Sequence, residues 1–360
     1  MNIEQATQAY ESWLRRRIPL LEADLKLKHQ HMAEAAFPFL RATFYRWAQL
    51  WPEVCPQLAS APAVLGIGDL HVENFGTWRD QEGRLVWGVN DFDEACALPY
   101  ANDLVRLAVS ARLAIDQNDL ACGIDDACDA ILEGYRGGMD KGGHPLVLAD
   151  HHVWLREVAS SQLRDPARYW DKLSHWPDVT NSTPPEVKRA LRRALPPRTP
   201  AARIVHRQAG LGSLGRRRFT ALADWCGGMI AREAKELRVS AWNWQRASAG
   251  NGPLHYREII GRAVRAADPF VGFQGPWLLR RLAPDCSRVE LASLSKTKDE
   301  LKLLGAMGLE TANIHLGTTA ARAKVRADLR RRPAKWLRQA AAAMTDATLA
   351  DWKDWKKASP

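Results

Sequence analysis

The 360-residue chain has little cysteine, and its six cysteines include no Cys-x-x-Cys pair. Cys55, Cys96, Cys122, Cys128, Cys226 and Cys286 are scattered, which argues against a disulfide framework and against a thiolate zinc site. No apolar run reaches the length of a membrane span. The opening stretch MNIEQATQAYESWLRRR lacks the apolar core of a secretory signal. These absences predict reduced thiols, no membrane partner and a cytoplasmic location. A Rossmann dinucleotide site is not expected either, because the cluster Gly210-Leu-Gly212-Ser213-Leu-Gly215 runs into a predicted strand and not straight into a helix.

Charge is not scarce. The net value is +10, and a good share of the excess lies in the last forty residues, where ARAKVRADLRRRPAKWLRQ mixes basic residues with Ala, Val and Leu at helical spacing. That spacing is the pattern of a solvated helical face. A nucleic-acid surface is the other reading of the same charge. The chain is long enough for a substantial core in one large or two moderate domains.

The chemistry-bearing residues concentrate in residues 64–94, VLGIGDLHVENFGTWRDQEGRLVWGVNDFDE. Two β-type apolar runs, 63–67 and 85–89, each end in a polar burst. The first burst is Asp69, His71, Glu73 and Asn74; the second is Asn90, Asp91, Asp93 and Glu94. Gly83 marks a turn, so the two runs are predicted to pair as a hairpin with the bursts side by side. Carboxylates brought together repel, and a divalent cation relieves that; Mg2+ favours such oxygens together with substrate phosphates.

Around this stretch, residues 3–60 read as helices. Tyr10, Trp13, Leu14, Ile18 and Leu21 form one apolar face, and Phe37, Leu40, Phe44 and Trp47 another, with Pro38 starting or kinking the second. Arg41 could reach a phosphate or carboxylate of the site, or snorkel to the surface. Asn102 or Asp103 is predicted to cap a helix through DLVRLAVSARLAI, with Asp103 assigned a structural role there or in bracing the loop from below. A second helix is predicted from about Asp125 to Tyr135, closed by Gly137-Gly138. Residues 146–195 read as helical and polar, and the prolines between 184 and 200 mark a domain edge. Strands are then predicted at 203–207, 216–225 and 229–235, with a turn over 224–228. The glycines joining the first two strands can bring bare backbone N–H groups onto phosphate oxygens.

Several segments resemble known families. GDLHVEN resembles the catalytic loop of aminoglycoside phosphotransferases, choline kinases and their protein-kinase relatives; NDFDEA resembles their metal-binding segment, and LPYANDL the helix start that follows it. FPFLRATF, GDLHVENFG, NDFDEA and GLGSLG together resemble the bacterial DUF2252 family, grouped with kinase-like folds, over about residues 32–316. PWLLRRLAPDCSRVEL resembles the strand and hinge beneath an adenine ring, and residues 298–316 the long helix that leads into a kinase catalytic loop. Here the glycine loop, hinge and long helix follow the catalytic loop, where in kinases they precede it. The resemblance therefore implies an α+β, protein-kinase-like two-lobe fold, circularly permuted, with extra N- and C-terminal helices. Its expected parts are an N-terminal helical segment (1–60), a catalytic-lobe-like region (61–200), a nucleotide-covering lobe (201–290) and C-terminal helices (291–360).

The implied function is Mg2+- and ATP-dependent phosphoryl transfer to an unidentified small-molecule or protein hydroxyl. Asp69 would orient and deprotonate the acceptor, Asn74 and Asp91 would hold the metal, and Asp93 would bind a second ion or position the first. His71 would brace the catalytic loop, and Gly210, Gly212, Ser213 and Gly215 would cover the phosphates. Lys235 is the expected phosphate-gripping cation and Arg232 its rival, and the residues leave both open. Glu258, in HYREIIGRAV, is the candidate carboxylate for that cation. AMP transfer on the same fold, an inactive nucleotide-binding protein, and a nucleic-acid binder using the basic helices are the alternatives. A metallophosphoesterase, which GDLH also resembles, would need further His and Asn ligands in an Asp-x-His and GNH-type order, and no such motif precedes Asp69.

Overall fold

A computed structural model of the chain describes residues 1–148, 152–161, 165–246, 252–286 and 299–358. The N-terminal segment folds as α1 (Ile3–Arg15), α2 (Glu22–Glu34), α3 (Ala36–Ala42), α4 (Phe44–Val54) and α5 (Pro56–Ala59). α1 starts on a capping box in which Asn2 and Gln5 each bond the other's backbone N–H. Both apolar faces are buried, except that Ile18 and Leu21 are only half-buried.

Four strands follow: β1 (Ala63–Gly66), β2 (Phe75–Arg79), β3 (Leu85–Val89) and β4 (Cys96–Pro99). The expected hairpin between the first and third does not form. β1 pairs antiparallel with β4, Ala63 opposite Pro99, whereas β3 pairs antiparallel with β2, Phe75 opposite Val89. Gly83 does sit in a turn at positive φ, but that turn joins β2 to β3, with Asp80 accepting from the N–H groups of Glu82 and Arg84. β2 gives no period-two signal because four of its five residues are buried, so both faces are covered.

Next come α6 (Tyr100–Asp116), α7 (Ile124–Lys141), the short β5 (Leu146–Val147), which pairs with β3, α8 (Val153–Ser161), α9 (Pro166–Ser174) and α10 (Pro185–Ala194). α6 begins directly after Pro99, so neither Asn102 nor Asp103 is its cap; both are buried in its first turn. α7 runs through Gly137 and Gly138 and ends at Gly142, which takes the left-handed conformation.

The second half holds β6 (Arg203–His206), β7 (Arg218–Trp225), β8 (Gly228–Glu236), α11 (Ala241–Arg246), α12 (Tyr256–Arg262), β9 (Gly272–Gln274), β10 (Trp277–Leu282), α13 (Asp299–His315), α14 (Arg322–Arg331) and α15 (Trp336–Ala358). The five strands form an antiparallel sheet in the order β6-β7-β8-β10-β9. Cys226 and Gly227, both at positive φ, make the two-residue turn between β7 and β8. One face, carrying Ile204, Ala221, Ala234 and Leu279, packs on Val187 and Leu191 of α10. The other, carrying Val205, Leu222, Ala231 and Leu282, packs on Tyr169 and Leu173 of α9. α9 and α10 thus precede residue 200 in the chain but cover the sheet that follows it. Of the expected hinge, Ala283–Cys286 follow β10, while residues 287–291 lie outside the described residues.

α14 and α15 close the large core. Much of the basic tail is tied internally: Arg326 donates to the Met139 carbonyl, Arg332 pairs with Asp328 at 2.7 Å, and Arg338 with Asp125 at 2.9 Å. No helix among the described residues is long and apolar enough to cross a membrane.

α7 and α13 pack backbone to backbone. A Cβ on Gly134 would strike the Gly305 carbonyl, and one on Gly308 the Ile131 carbonyl. Gly137, in the same helix as Gly134, has nothing within 4 Å of its would-be Cβ. Gly134→Ala is therefore expected to destabilise the fold by about 1 to 3 kcal/mol. Gly137→Ala is expected to gain up to about 1 kcal/mol from helix propensity. Chemical denaturation of the two variants checks the contrast, and equal effects would contradict the packing.

Candidate active site

The first polar burst is fixed from below by α6. Asp103, fully buried, accepts from the backbone N–H of Ile67 at 2.7 Å and of Gly68 at 2.9 Å. His315, the last residue of α13, meets the same carboxylate through Nε2 at 2.9 Å, and its Nδ1 meets the Tyr135 hydroxyl at 2.8 Å. Ser110, two turns further along α6, accepts from the Val72 N–H. The loop between β1 and β2 is thus held by buried polar groups, the arrangement that keeps a reacting side chain in place.

Two contacts bring the bursts together without the hairpin. Gly68, at positive φ, lies so close to the Glu94 carbonyl that a Cβ would collide with it. Asn74 Nδ2 donates to the Asp69 carbonyl at 3.2 Å and to the Asp91 carbonyl at 3.1 Å. His71 is buried, accepts from the Glu73 N–H at Nδ1, and meets the Phe37 ring edge-on.

Asp69 is held by Arg106, a fully buried side chain of α6 that also lies over the rings of Phe44 and Trp47 and donates to the Leu40 carbonyl. Both Arg106 bonds to Asp69, at 3.0 and 2.5 Å, fall on Oδ1. Burial pushes the Asp69 carboxyl above the ordinary carboxylate range against the pull of Arg106. Oδ2 faces the glycine segment: a Cβ on Gly212 would lie 3.2 Å from it and 2.9 Å from the Arg41 carbonyl. Arg41 itself reaches a carboxylate of the site, Glu73, at 2.5 Å.

The five-stranded sheet supplies the upper wall. Along β8, Lys235 and Arg232 differ by three positions and so project from opposite faces. Lys235, buried, contacts Asp91 Oδ2 at 2.9 Å and Asp93 Oδ2 at 2.5 Å. Arg232 turns away, donating to the Ala194 carbonyl at the end of α10 and covering the Phe270 ring. Of the two, Lys235 faces the carboxylates. Glu258 does not pair with it; on α12 it meets His255 at 2.7 Å and Arg262 at 2.9 Å, because the strand cation already has two nearer acidic partners.

The glycine segment folds as a single 3-10 turn, Leu211–Ser213, between β6 and β7. Gly210 and Gly215 take positive φ, and the Gly215 carbonyl accepts from Leu21 of the N-terminal helices. Ser213 is buried, donating to the Gly210 carbonyl and accepting from Arg218. Arg216, which sequence reasoning passed over, pairs with Asp93 and Glu94, both at 3.2 Å, and Arg238 adds a bond to Glu94 at 2.9 Å. Burial and the Asp91 charge hold Asp93 above the ordinary carboxylate range. Asp91 is held below it, since Lys235, with Arg280 and Arg218, outweighs its burial.

Asp69, Asn74, Asp91 and Asp93 line one cavity of about 940 Å³ together with Gly210, Gly212, Ser213 and Arg216. Lys235, its side chain fully buried against the two carboxylates, is not among the lining residues. The sequence reading also missed Arg106 and an arginine group around Glu233. The signal for the latter was the two-residue period of MIAREAK, which puts Glu233 on the Lys235 face. Among the described residues no group of three or more His, Cys, Asp or Glu could hold a metal by itself. Asn74 Oδ1 and Asp93 Oδ1 are nevertheless buried acceptors without a hydrogen-bond partner. Together with the Asp91 carboxylate they suit a cation that draws its other ligands from water and phosphate, as Mg2+ does.

The described residues thus define a mixed α+β protein with a charged cavity between an acidic loop pair and a five-stranded sheet. Residues 17–168 match the family described as "Uncharacterized protein conserved in bacteria (DUF2252)". The matched residues take in both polar bursts; the glycine segment and Lys235 lie beyond them. No curated protein matches the chain, and no solved structure matches it.

The Lys235 contacts carry an expectation for stability. Lys235→Met leaves the nearly buried Asp93 and the partly exposed Asp91 without their shared cation. Near neutral pH it is expected to cost less than the roughly 3 to 5 kcal/mol of a fully buried pair, because solvent screens Asp91. Because Asp93 is raised in the folded chain, its protonation favours the fold, and that contribution is lost as pH rises from the ordinary carboxylate value through the raised one. Lys235 lowers Asp93, so its loss raises that carboxyl further, and the variant should recover part of its loss relative to the native chain on going from about pH 8 to about pH 5. Arg232→Met should show no such recovery, as urea melts at several pH values will test; parallel profiles would contradict the assignment.

Proposed function

We propose that the chain is a Mg2+- and ATP-dependent phosphotransferase acting on a hydroxyl acceptor, on a kinase-like two-lobe arrangement in permuted order. One observation carries the reading. Gly212, from the strand connection after residue 206, lies against Asp69 Oδ2, while Lys235 meets Asp91 and Asp93, although more than a hundred residues separate each pair. A cavity lined by carboxylates and a bare-backbone turn, with a strand cation buried against those carboxylates, has the parts that phosphoryl transfer requires. The approach of α13 to the start of the first burst, through His315 and Asp103, supports the permuted order.

On this reading the acceptor hydroxyl is bound at Asp69, with Arg106 holding Oδ1 so that Oδ2 receives the proton. The raised affinity of Asp69 for a proton suits that role. Asn74, Asp91 and Asp93 would hold Mg2+, which when bound supplies neutralisation of charge on the transferring phosphoryl oxygens. Lys235 stands beside those carboxylates, placed to share its charge with a phosphate, and Gly212 admits the phosphate chain where any side chain would block it.

Three measurements bear on the reading. Mg2+ and ATP together should raise the melting temperature, the gain at a hundredfold excess over Kd being about 2.7 kcal/mol. Neither alone should do so fully. Asp69→Asn should spare this shift and lower turnover by about 10²- to 10⁴-fold; Asp91→Asn should weaken the shift itself. Absence of any shift at millimolar Mg-ATP, with no signal by calorimetry, would sink the proposal.

A further inference from the structure

On the cavity face of the five-stranded sheet, Glu233 is fully buried and is met by three guanidiniums. Arg207 Nη1 approaches Oε1 at 2.7 Å, Arg280 Nη2 approaches Oε2 at 2.7 Å, and Arg218 Nη1 lies 3.5 Å from Oε2. All three arginines line the cavity. Strand alternation explains the group, since Arg218 on β7, Glu233 and Lys235 on β8, and Arg280 on β10 share one face.

One carboxylate cannot balance three guanidiniums. Only Glu233 pairs with them directly, while Asp91 and Asp93 act on Arg218 and Arg280 from a longer range. The Arg218 side chain is only 3% exposed and those of Arg207 and Arg280 are 17% and 19% exposed. The Nε atoms of Arg207 and Arg218 are buried without a hydrogen-bond partner. Burial, followed by the charges of Arg280 and Arg207, outweighs the help Arg218 receives from Glu233 and holds its guanidinium below the usual range. Buried donors that lack acceptors are costly, as are three buried cations that share one directly paired carboxylate, and an oxyanion answers both at once. Arginine forks match the tetrahedral oxygens of a phosphate group.

We propose that Arg207, Arg218 and Arg280, organised by Glu233, form an oxyanion subsite, so that the cavity's ligand carries a phosphate group bound by arginine without a metal. The subsite concerns binding alone and stands or falls separately from phosphoryl transfer. Two sources could supply the group: the polyphosphate chain of a nucleotide, or the phosphate of a phosphorylated acceptor.

The test is titration calorimetry of the full chain in EDTA at low salt, with tripolyphosphate and with glycerol 2-phosphate as probes. At least one should bind, and Arg207→Gln and Arg280→Gln should each weaken it at least tenfold. Lys324→Gln, on the exposed face of α14, should leave it unchanged. Tripolyphosphate binding alone assigns the subsite to a polyphosphate chain; glycerol 2-phosphate binding assigns it to a phosphomonoester. Should Arg280→Gln fail to fold, Arg207→Gln and the charge-preserving Arg280→Lys decide, the former expected to lose binding and the latter to retain part of it. No binding of either probe at millimolar concentration, or equal binding by Arg207→Gln, overturns the subsite. Mg-ATP stabilisation that survives such a result would leave the phosphotransferase reading intact.

Discussion

Lys235 bridges Asp91 and Asp93, and through that contact the five-stranded sheet is fastened to the acidic loop after β3. Two carboxylates two residues apart, both lining a cavity, repel each other; a fully buried ammonium between them is what permits the loop to keep its shape. The neighbouring contacts follow the same logic. Arg216 reaches Asp93 and Glu94 from the glycine segment, and Arg238 reaches Glu94 from the end of β8. The two halves of the cavity are therefore held in register by charge, and a change in the charge of either side is felt by the other.

A buried charge network is weak as a source of stability but exacting about geometry. The apolar contacts do the stabilising: the α7–α13 glycine contact and the aromatic helices fix the large core, and α9 and α10 sandwich the sheet. Within that frame Asp103 and Arg106, neighbours on α6, act on one loop at two points. Asp103 holds the backbone at Ile67 and Gly68, and Arg106 holds the Asp69 side chain. One rigid helix thus sets both the path of the loop and the aim of its carboxylate.

Much of this was legible in the sequence, and the parts that were not have physical reasons. Short runs such as 85–89 and 218–225 announced strands because apolar residues alternate or cluster between turn residues. Pairing was another matter: β2 is buried on both faces and β4 is only four residues long, so neither shows the pattern that would have placed them. Asp69, Asn74, Asp91, Asp93, Gly212 and Lys235 could be picked out by residue type, and they line or adjoin one cavity. Arg106 could not, for it stands alone among the apolar residues of LVRLAV and meets Asp69 only in three dimensions. The choice between Lys235 and Arg232 needed the strand register, since parity along β8 sends one to the carboxylates and the other to α10.

On the proposed function, the acidic loop and the sheet enclose a metal–nucleotide site. The most direct measurement is anomalous diffraction from crystals grown with Mn2+ and a non-hydrolysable ATP analogue. A manganese peak ligated by Asp91 and Asp93 beside Asn74 is expected, with the phosphate chain between Gly212 and Lys235. Nucleotide bound outside the cavity, or manganese absent from those carboxylates while the Lys235 bridge persists, would contradict it.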